Sequence, residues 1–179
     1  MSKPSSITGI VLAAGAGTRF GTPKVLAEQG EWLRHAVDAL DGGGCDEIVV
    51  VLGAAVVDVP APARAVVAEH WADGMSASVR AGLAASIGAE LAVFRLVDTP
   101  DVGADVVARV LAAARTSGLA RAMYGGRPGH PVVIAREHWA ALDATLRGDE
   151  GARAFLAGRD DVVNVECGDL ATGEDVDRP

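Results

Sequence analysis

Residues 8–26, TGIVLAAGAGTRFGTPKVL, begin as an apolar β-branched run and end as a glycine loop carrying Arg19 and Lys24. The first half reads as a buried strand, the second as the turn that leaves it. The same order then recurs. LRHAVDALDGGG (33–44) spaces Leu33, Val37 and Leu40 on one helical face and stops at glycines. DEIVVVLG (46–53) is a continuous apolar strand, the pattern of a sheet covered on both faces. RAVVAEH (64–70) is a short strand, SASVRAGLAASIG (76–88) an amphipathic helix, ELAVFRLVD (90–98) a strand and DVVARVLAAARTSG (105–118) a helix. ARAMY and HPVVIA flank the turn GGRPG, a local antiparallel hairpin; a helix near HWAALDATL and a strand in VVNVECGD complete the order. Strands alternating with helices predict an α/β domain over 1–179: three Rossmann-like layers, with a mostly parallel sheet, helices on both faces and one small antiparallel element.

Composition narrows the partners. The 179 residues are half hydrophobic but only 4% aromatic, so the core must be built from Ala, Val, Leu and Ile. A net charge of −8 argues against a nucleic-acid binder, which carries a basic face. The apolar stretch 48–57 is too short to span a bilayer. Residues 3–17 are broken by glycines and carry a single basic residue, unlike a secretory leader. Cys45 and Cys167 are far apart and form no CxxC pair, which fits a reduced, cytoplasmic protein.

In an open α/β sheet, ligands bind beyond the carboxyl ends of the strands, where this glycine loop emerges. Glycines allow close backbone approach, and successive N–H groups form an anion-binding concavity. Two familiar loops are excluded. Gly15, Gly17 and Gly21 miss the GxGxxG spacing, and Lys24 follows proline with no Ser or Thr after it, so this is no P-loop. The chain has only two lysines, Lys3 and Lys24. In an arginine-rich protein, an isolated lysine fits a partner that needs a compact point charge rather than a planar fork.

LAAGAGTRFGTPK resembles the LAAGxGxRxGxxK signature of the MobA/MocA-like nucleotidyltransferases. GMSASVRAGL (74–83), LVDTPDV (96–102), GHPVVI (129–134) and GDEGAR (148–153) follow in the order seen in molybdopterin cytidylyltransferases. The resemblance implies a nucleotide-diphospho-sugar-transferase-like fold and a nucleotide held by Leu12, Ala13, Ala14, Gly15 and Gly17. It also implies phosphates held by Arg19 and Lys24. LAAG with RFG looks like the cytidine version of the family, LAGG with RMG the guanosine version. CTP is therefore the implied substrate, and molybdopterin the implied phosphorylated acceptor. A molybdoenzyme or its insertion chaperone would be the partner.

Asp98 ends an apolar strand at the same sheet edge. There it either caps the following helix or holds Mg²⁺, and the resemblance favours Mg²⁺. Family members often end with a DxDTPED-like segment that completes the metal site. In GDLATGEDVD (168–177) the expected match keeps Asp169, puts Ala171 at the second position and replaces proline with Gly173. Asp98 and Asp169 are thus the expected metal ligands. Ser76 opens a helix whose free N–H groups could receive an anion, with Arg80 one turn on. His130 stands at a strand entrance, to touch the acceptor or orient the turn. A role for Asp149 or Arg153 on substrate rests on resemblance alone. The predicted reaction moves CMP from CTP to the acceptor with release of pyrophosphate, through Arg19, Lys24 and Asp98. Two alternatives stay open: a non-catalytic nucleotide- or cofactor-binding partner, and a nucleotidyltransferase acting on a sugar phosphate.

Overall fold

The computed structural model describes residues 6–178. Seven strands form one sheet in the order β3-β2-β1-β4-β6-β5-β7. They are β1 Ile7–Ala13, β2 Glu47–Leu52, β3 Arg64–Val67, β4 Leu91–Leu96, β5 Leu119–Tyr124, β6 Arg127–Ala135 and β7 Val163–Glu166. Only β6 runs against the rest; it pairs antiparallel with both β4 and β5, and the other neighbours are parallel. This is the mostly parallel α/β sheet with one hairpin that the strand order predicts.

Period-two alternation explains how the sheet is covered. In β1, Ile7, Val11 and Ala13 enter one apolar layer while Ile10 and Leu12, with Ala14 just beyond the strand, enter the other. β2 divides likewise, Ile48, Val50 and Leu52 against Val49 and Val51. The first layer packs under α1 (Glu31–Gly42) and α3 (Ala104–Ser117), whose Leu33, Val37, Leu40, Val106, Val110 and Leu111 are buried. The second packs under α2 (Met75–Ala84), α4 (Trp139–Thr145) and α5 (Ala152–Leu156). Small and branched side chains allow this close approach of helices to sheet. Among the described residues no helix is long and apolar enough to cross a membrane.

The link from β1 to α1 is not one smooth turn. Lys24–Gly30 forms short 3₁₀ turns broken by a kink at residues 27–29. Before it, Gly17 has φ +65°, and a Cβ there would run into the Thr22 carbonyl. That residue must be glycine for the loop to fold back on itself. Phe20 packs at a tilt against Trp32 of α1, ring centroids 5.4 Å apart, which ties the loop to that helix.

After β7 the chain crosses back over the carboxyl ends of the parallel strands. Thr172 donates to Asp101 through both its N–H (2.7 Å) and its hydroxyl (2.6 Å). Gly173, at φ +66°, passes against the Tyr124 ring, where any side chain would collide. The Val176 N–H then bonds the Asp98 carbonyl at 2.9 Å.

Candidate active site

The glycine loop and the end of β4 bound a cavity of about 450 Å³. Leu12, Ala13, Gly15, Gly17, Arg19 and Phe20 line one side, and Lys24, Asp98, Asp149 and Asp177 another. Ala14, expected at the loop's backbone, is buried beneath it, with its carbonyl accepting from the Ala54 N–H at 3.0 Å. Arg19 is exposed at the rim and forms no ion pair among the described residues.

Lys24 is the centre of charge. Its ammonium donates to Asp98 at 2.6 Å and to Asp177 at 3.1 Å. Burial alone would lower its pKa, but the two carboxylates outweigh that and hold it above the ordinary lysine value. The same pairing holds Asp177 below the usual carboxylate range. Asp98 goes the other way: burial pushes its pKa up, against the pull of Lys24, and Asp175 adds to the rise. Its Oδ1 is buried without any hydrogen-bond partner. Oxygens of Asp98, Asp175 and Asp177 lie within 4.8 Å of one another. Convergent carboxylates with one buried, unpartnered oxygen match the donor set that hard divalent cations take.

This corrects one expectation. Asp169 does not reach Asp98; it forms a two-pronged pair with Arg109, at 2.7 and 3.1 Å, on the exposed face of α3. The carboxylates that join Asp98 are Asp175 and Asp177, delivered by the returning tail. The signal was in the sequence as Asp-Val-Asp at 175–177, since residues two apart on an extended chain point to the same side.

Ser76 is also placed away from the cavity. It is buried, and its N–H donates to the Gly148 carbonyl at 3.0 Å, so the loop before α5 closes the start of α2. Met75 lines the cavity instead. Arg80 turns to α4 and the carbonyls after it, bonding Asp143 at 2.8 Å and the Leu146 carbonyl at 2.8 Å.

A second cavity, about 310 Å³, shares Leu12, Met75 and Leu96 with the first. Apolar walls from Val79, Phe94, Val132 and Leu156 carry Arg121, Arg153, His130 and Asp175 among them. Sequence reasoning missed Arg121, whose only signal was a cation inside a short strand. Arg121 donates to Asn164 of β7 at 2.8 Å, which holds its stem along the sheet. The His130 carbonyl accepts from the Tyr124 hydroxyl at 2.6 Å. Burial, then the nearby Arg95 cation, push the His130 pKa down to about 4, so its ring is neutral near pH 7.

In the unfolded chain the His130 imidazole takes its proton near pH 6.5, in the folded chain only near 4. The unfolded state therefore binds more protons between these values, and stability falls as pH falls through the window. His130→Gln should flatten this part of the stability curve. Thermal melts of both proteins from pH 7 to 4 measure it, and parallel curves would refute the assignment.

The chain is 39% identical over 187 residues to a protein named nicotine blue oxidoreductase from Paenarthrobacter nicotinovorans, covering 96% of this chain and 92% of that one. The crystal structure of Rv0371c from Mycobacterium tuberculosis H37Rv superposes with a TM-score of 0.79 at 28% identity, over 98% of this chain and 95% of that one. A structure of Rv0371c in complex with manganese gives 0.73 at 25% identity, over 96% and 94%. Residues 9–163 match the model of the MobA-like NTP transferase domain. With the glycine loop, the seven-stranded sheet and this match over most of its length, the chain belongs to the MobA-like NTP transferase family of nucleotidyltransferases.

Proposed function

We propose that the protein is a divalent-metal-dependent cytidylyltransferase that moves CMP from CTP to a phosphorylated acceptor, with molybdopterin the acceptor its motifs favour. The observation that carries this reading is the Asp98–Asp175–Asp177 cluster beside Lys24 on the wall of the glycine-loop cavity. Those three carboxylates would hold Mg²⁺ or Mn²⁺; that a structure of Rv0371c is a complex with manganese supports a divalent cation for this chain. When bound, such an ion neutralises triphosphate charge and makes the reacting phosphorus more electrophilic.

The remaining chemistry falls to the chain. Backbone groups of the loop seat the nucleotide, while Arg19 and Lys24 hold its phosphates. An oxygen of the acceptor phosphate attacks the α-phosphorus in line, the α–β bond breaks, and pyrophosphate leaves with the electron pair. A phosphomonoester is already mostly ionised at neutral pH, its second pKa being about 6. No general base is required, and catalysis becomes positioning plus charge neutralisation. Apolar walls with Arg121 and Arg153 at the second cavity suit an acceptor with a flat organic body and anionic groups. His130, being neutral, would offer it hydrogen bonding rather than charge. A cytoplasmic location, and delivery of product to a molybdoenzyme or its insertion chaperone, belong to the same proposal.

One observation favours a second reading. The relative at 39% identity is named an oxidoreductase. Adjoining cavities that share Leu12, Met75 and Leu96 could equally bring an organic electron donor and an acceptor into contact. A panel of nucleoside triphosphates against molybdopterin, glycosyl phosphates and no acceptor, scored for pyrophosphate and for reductant oxidation, separates the readings. CTP should be used in preference to GTP, because small side chains at 12–17 leave base selection to backbone and loop shape. A clear GTP preference contradicts the cytidylyl assignment.

A further inference from the structure

Arg95 is the largest fully buried side chain among the described residues, with 0% exposure. It stands near the end of β4, on the face where Leu91 and Val93 join the apolar layer under α1 and α3. A guanidinium there is costly: burial strips its hydration, and a hydrophobic side chain would fill the space more cheaply. Asp101 and Asp98 offset part of the cost through space, but no carboxylate reaches Arg95 as an ion pair among the described residues. A buried guanidinium is retained only where its donors are met.

Nη1 of Arg95 donates to the Val102 carbonyl at 2.6 Å, Nη2 to the Thr99 carbonyl at 2.6 Å and Nε to the Leu96 carbonyl at 3.2 Å. The acceptors bracket Asp98: Leu96 closes β4 just before it, and Thr99 and Val102 lie in the loop after it. Apart from the Val176 N–H, which bonds the Asp98 carbonyl at 2.9 Å from the tail, the other bonds here are long: Thr99 hydroxyl to Leu96 carbonyl at 3.4 Å, Val97 N–H to Leu12 carbonyl at 3.3 Å and Val102 N–H to Thr99 carbonyl at 3.2 Å. A rigid fork spanning both flanks removes the freedom those weak bonds leave. Asp98 itself accepts a side-chain hydrogen bond only from Lys24 among the described residues, and its other oxygen is buried without a partner, so its aim depends on the backbone that carries it.

The geometry points to Arg95 as a positioning residue, a guanidinium clamp that fixes Asp98 where it joins Asp175 and Asp177 to bind a divalent cation. This rests on the reading that the carboxylate cluster is a cation site. Arg95 touches neither ion nor substrate; it acts through the backbone on either side of Asp98.

The test compares wild type, Arg95→Lys, Arg95→Met and Asp98→Asn as full-length chains. Mn²⁺ binding without nucleotide is titrated by paramagnetic resonance, and amide hydrogen exchange is followed at residues 96–102. Both Arg95 variants should bind Mn²⁺ at least about tenfold more weakly, the scale of losing a group that orients a metal ligand. Exchange at 96–102 should accelerate, and metal-free CTP binding should stay as in wild type. Arg95→Lys should recover only part of the affinity, because one ammonium cannot span three carbonyls; it also carries the comparison if Arg95→Met does not fold. A purely structural arginine would lower the melting temperature but leave Mn²⁺ affinity of the folded protein intact, and that result overturns the proposal while the cation site stands. If wild type binds Mn²⁺ no better than Asp98→Asn, the cation site itself falls, and the positioning role with it.

Discussion

Lys24→Ala is expected to lower nucleotidyl transfer by about two orders of magnitude or more, as for loss of one preorganised charge contact of roughly 3 kcal/mol. The ammonium sits 2.6 Å from Asp98 and 3.1 Å from Asp177, at the mouth where a triphosphate would lie. It is the only lysine besides Lys3, and its three donors on a flexible stem can leave carboxylates for phosphate oxygens as charges redistribute. Lys24→Arg should restore activity only in part, since a planar fork cannot repeat that geometry. Mn²⁺ affinity measured without nucleotide should hold or rise in Lys24→Ala, because the ammonium competes for the same carboxylates. Turnover at saturating metal, together with that titration, separates a phosphate role from a structural one. Unchanged turnover would mean that Lys24 only ties the tail to β4.

Asp98→Asn should be still more damaging to activity, by about 10²–10³-fold, with a raised metal requirement. Its effect on stability should run the other way. The folded-state pKa of Asp98 is raised by burial, so the folded state prefers the neutral form more than the unfolded chain does. Such a group contributes its stability below the unfolded value, 3.8, and that contribution is lost as pH rises through the folded value. Near pH 7 the ionised carboxylate is therefore a cost, and a neutral amide of the same shape removes it. Asp98→Asn should melt no lower than wild type while losing turnover, the trade expected of a strained functional group. In wild type the metal requirement should climb on acidification earlier than for an unshifted carboxylate. Asp169→Asn should leave metal dependence untouched, since that side chain is held by Arg109. A strong metal defect in Asp169→Asn, or a normal one in Asp98→Asn, would contradict this arrangement of ligands.

What the sequence made legible follows period and punctuation. β1 and β2 read correctly because apolar runs bounded by glycine admit few alternatives, and the β5–β6 hairpin because GGRPG sits between two strand-like pieces. The glycine loop's place at the sheet edge followed from strand order, as did Asp98 at the end of β4. What failed depended on contacts distant in sequence. Nothing local to Ser76 reveals that Gly148 supplies its partner. Asp169 matched a motif only because the tail was read six residues too early. Arg109 on α3, sixty residues away, claims it, and the tail then runs on to bring Asp175 and Asp177 to Asp98. Arg95 gave no signal in the sequence, because the carbonyls it holds are turned towards it only in the folded loop.

The most direct test of the account is transfer of label from α-labelled CTP to molybdopterin in the presence of Mg²⁺, with pyrophosphate measured in the same reaction. The account predicts one pyrophosphate released for each labelled CMP joined to the acceptor, with both signals falling together in Asp98→Asn. Oxidation of an added reductant by wild type, with no label transferred and no pyrophosphate formed, would contradict it.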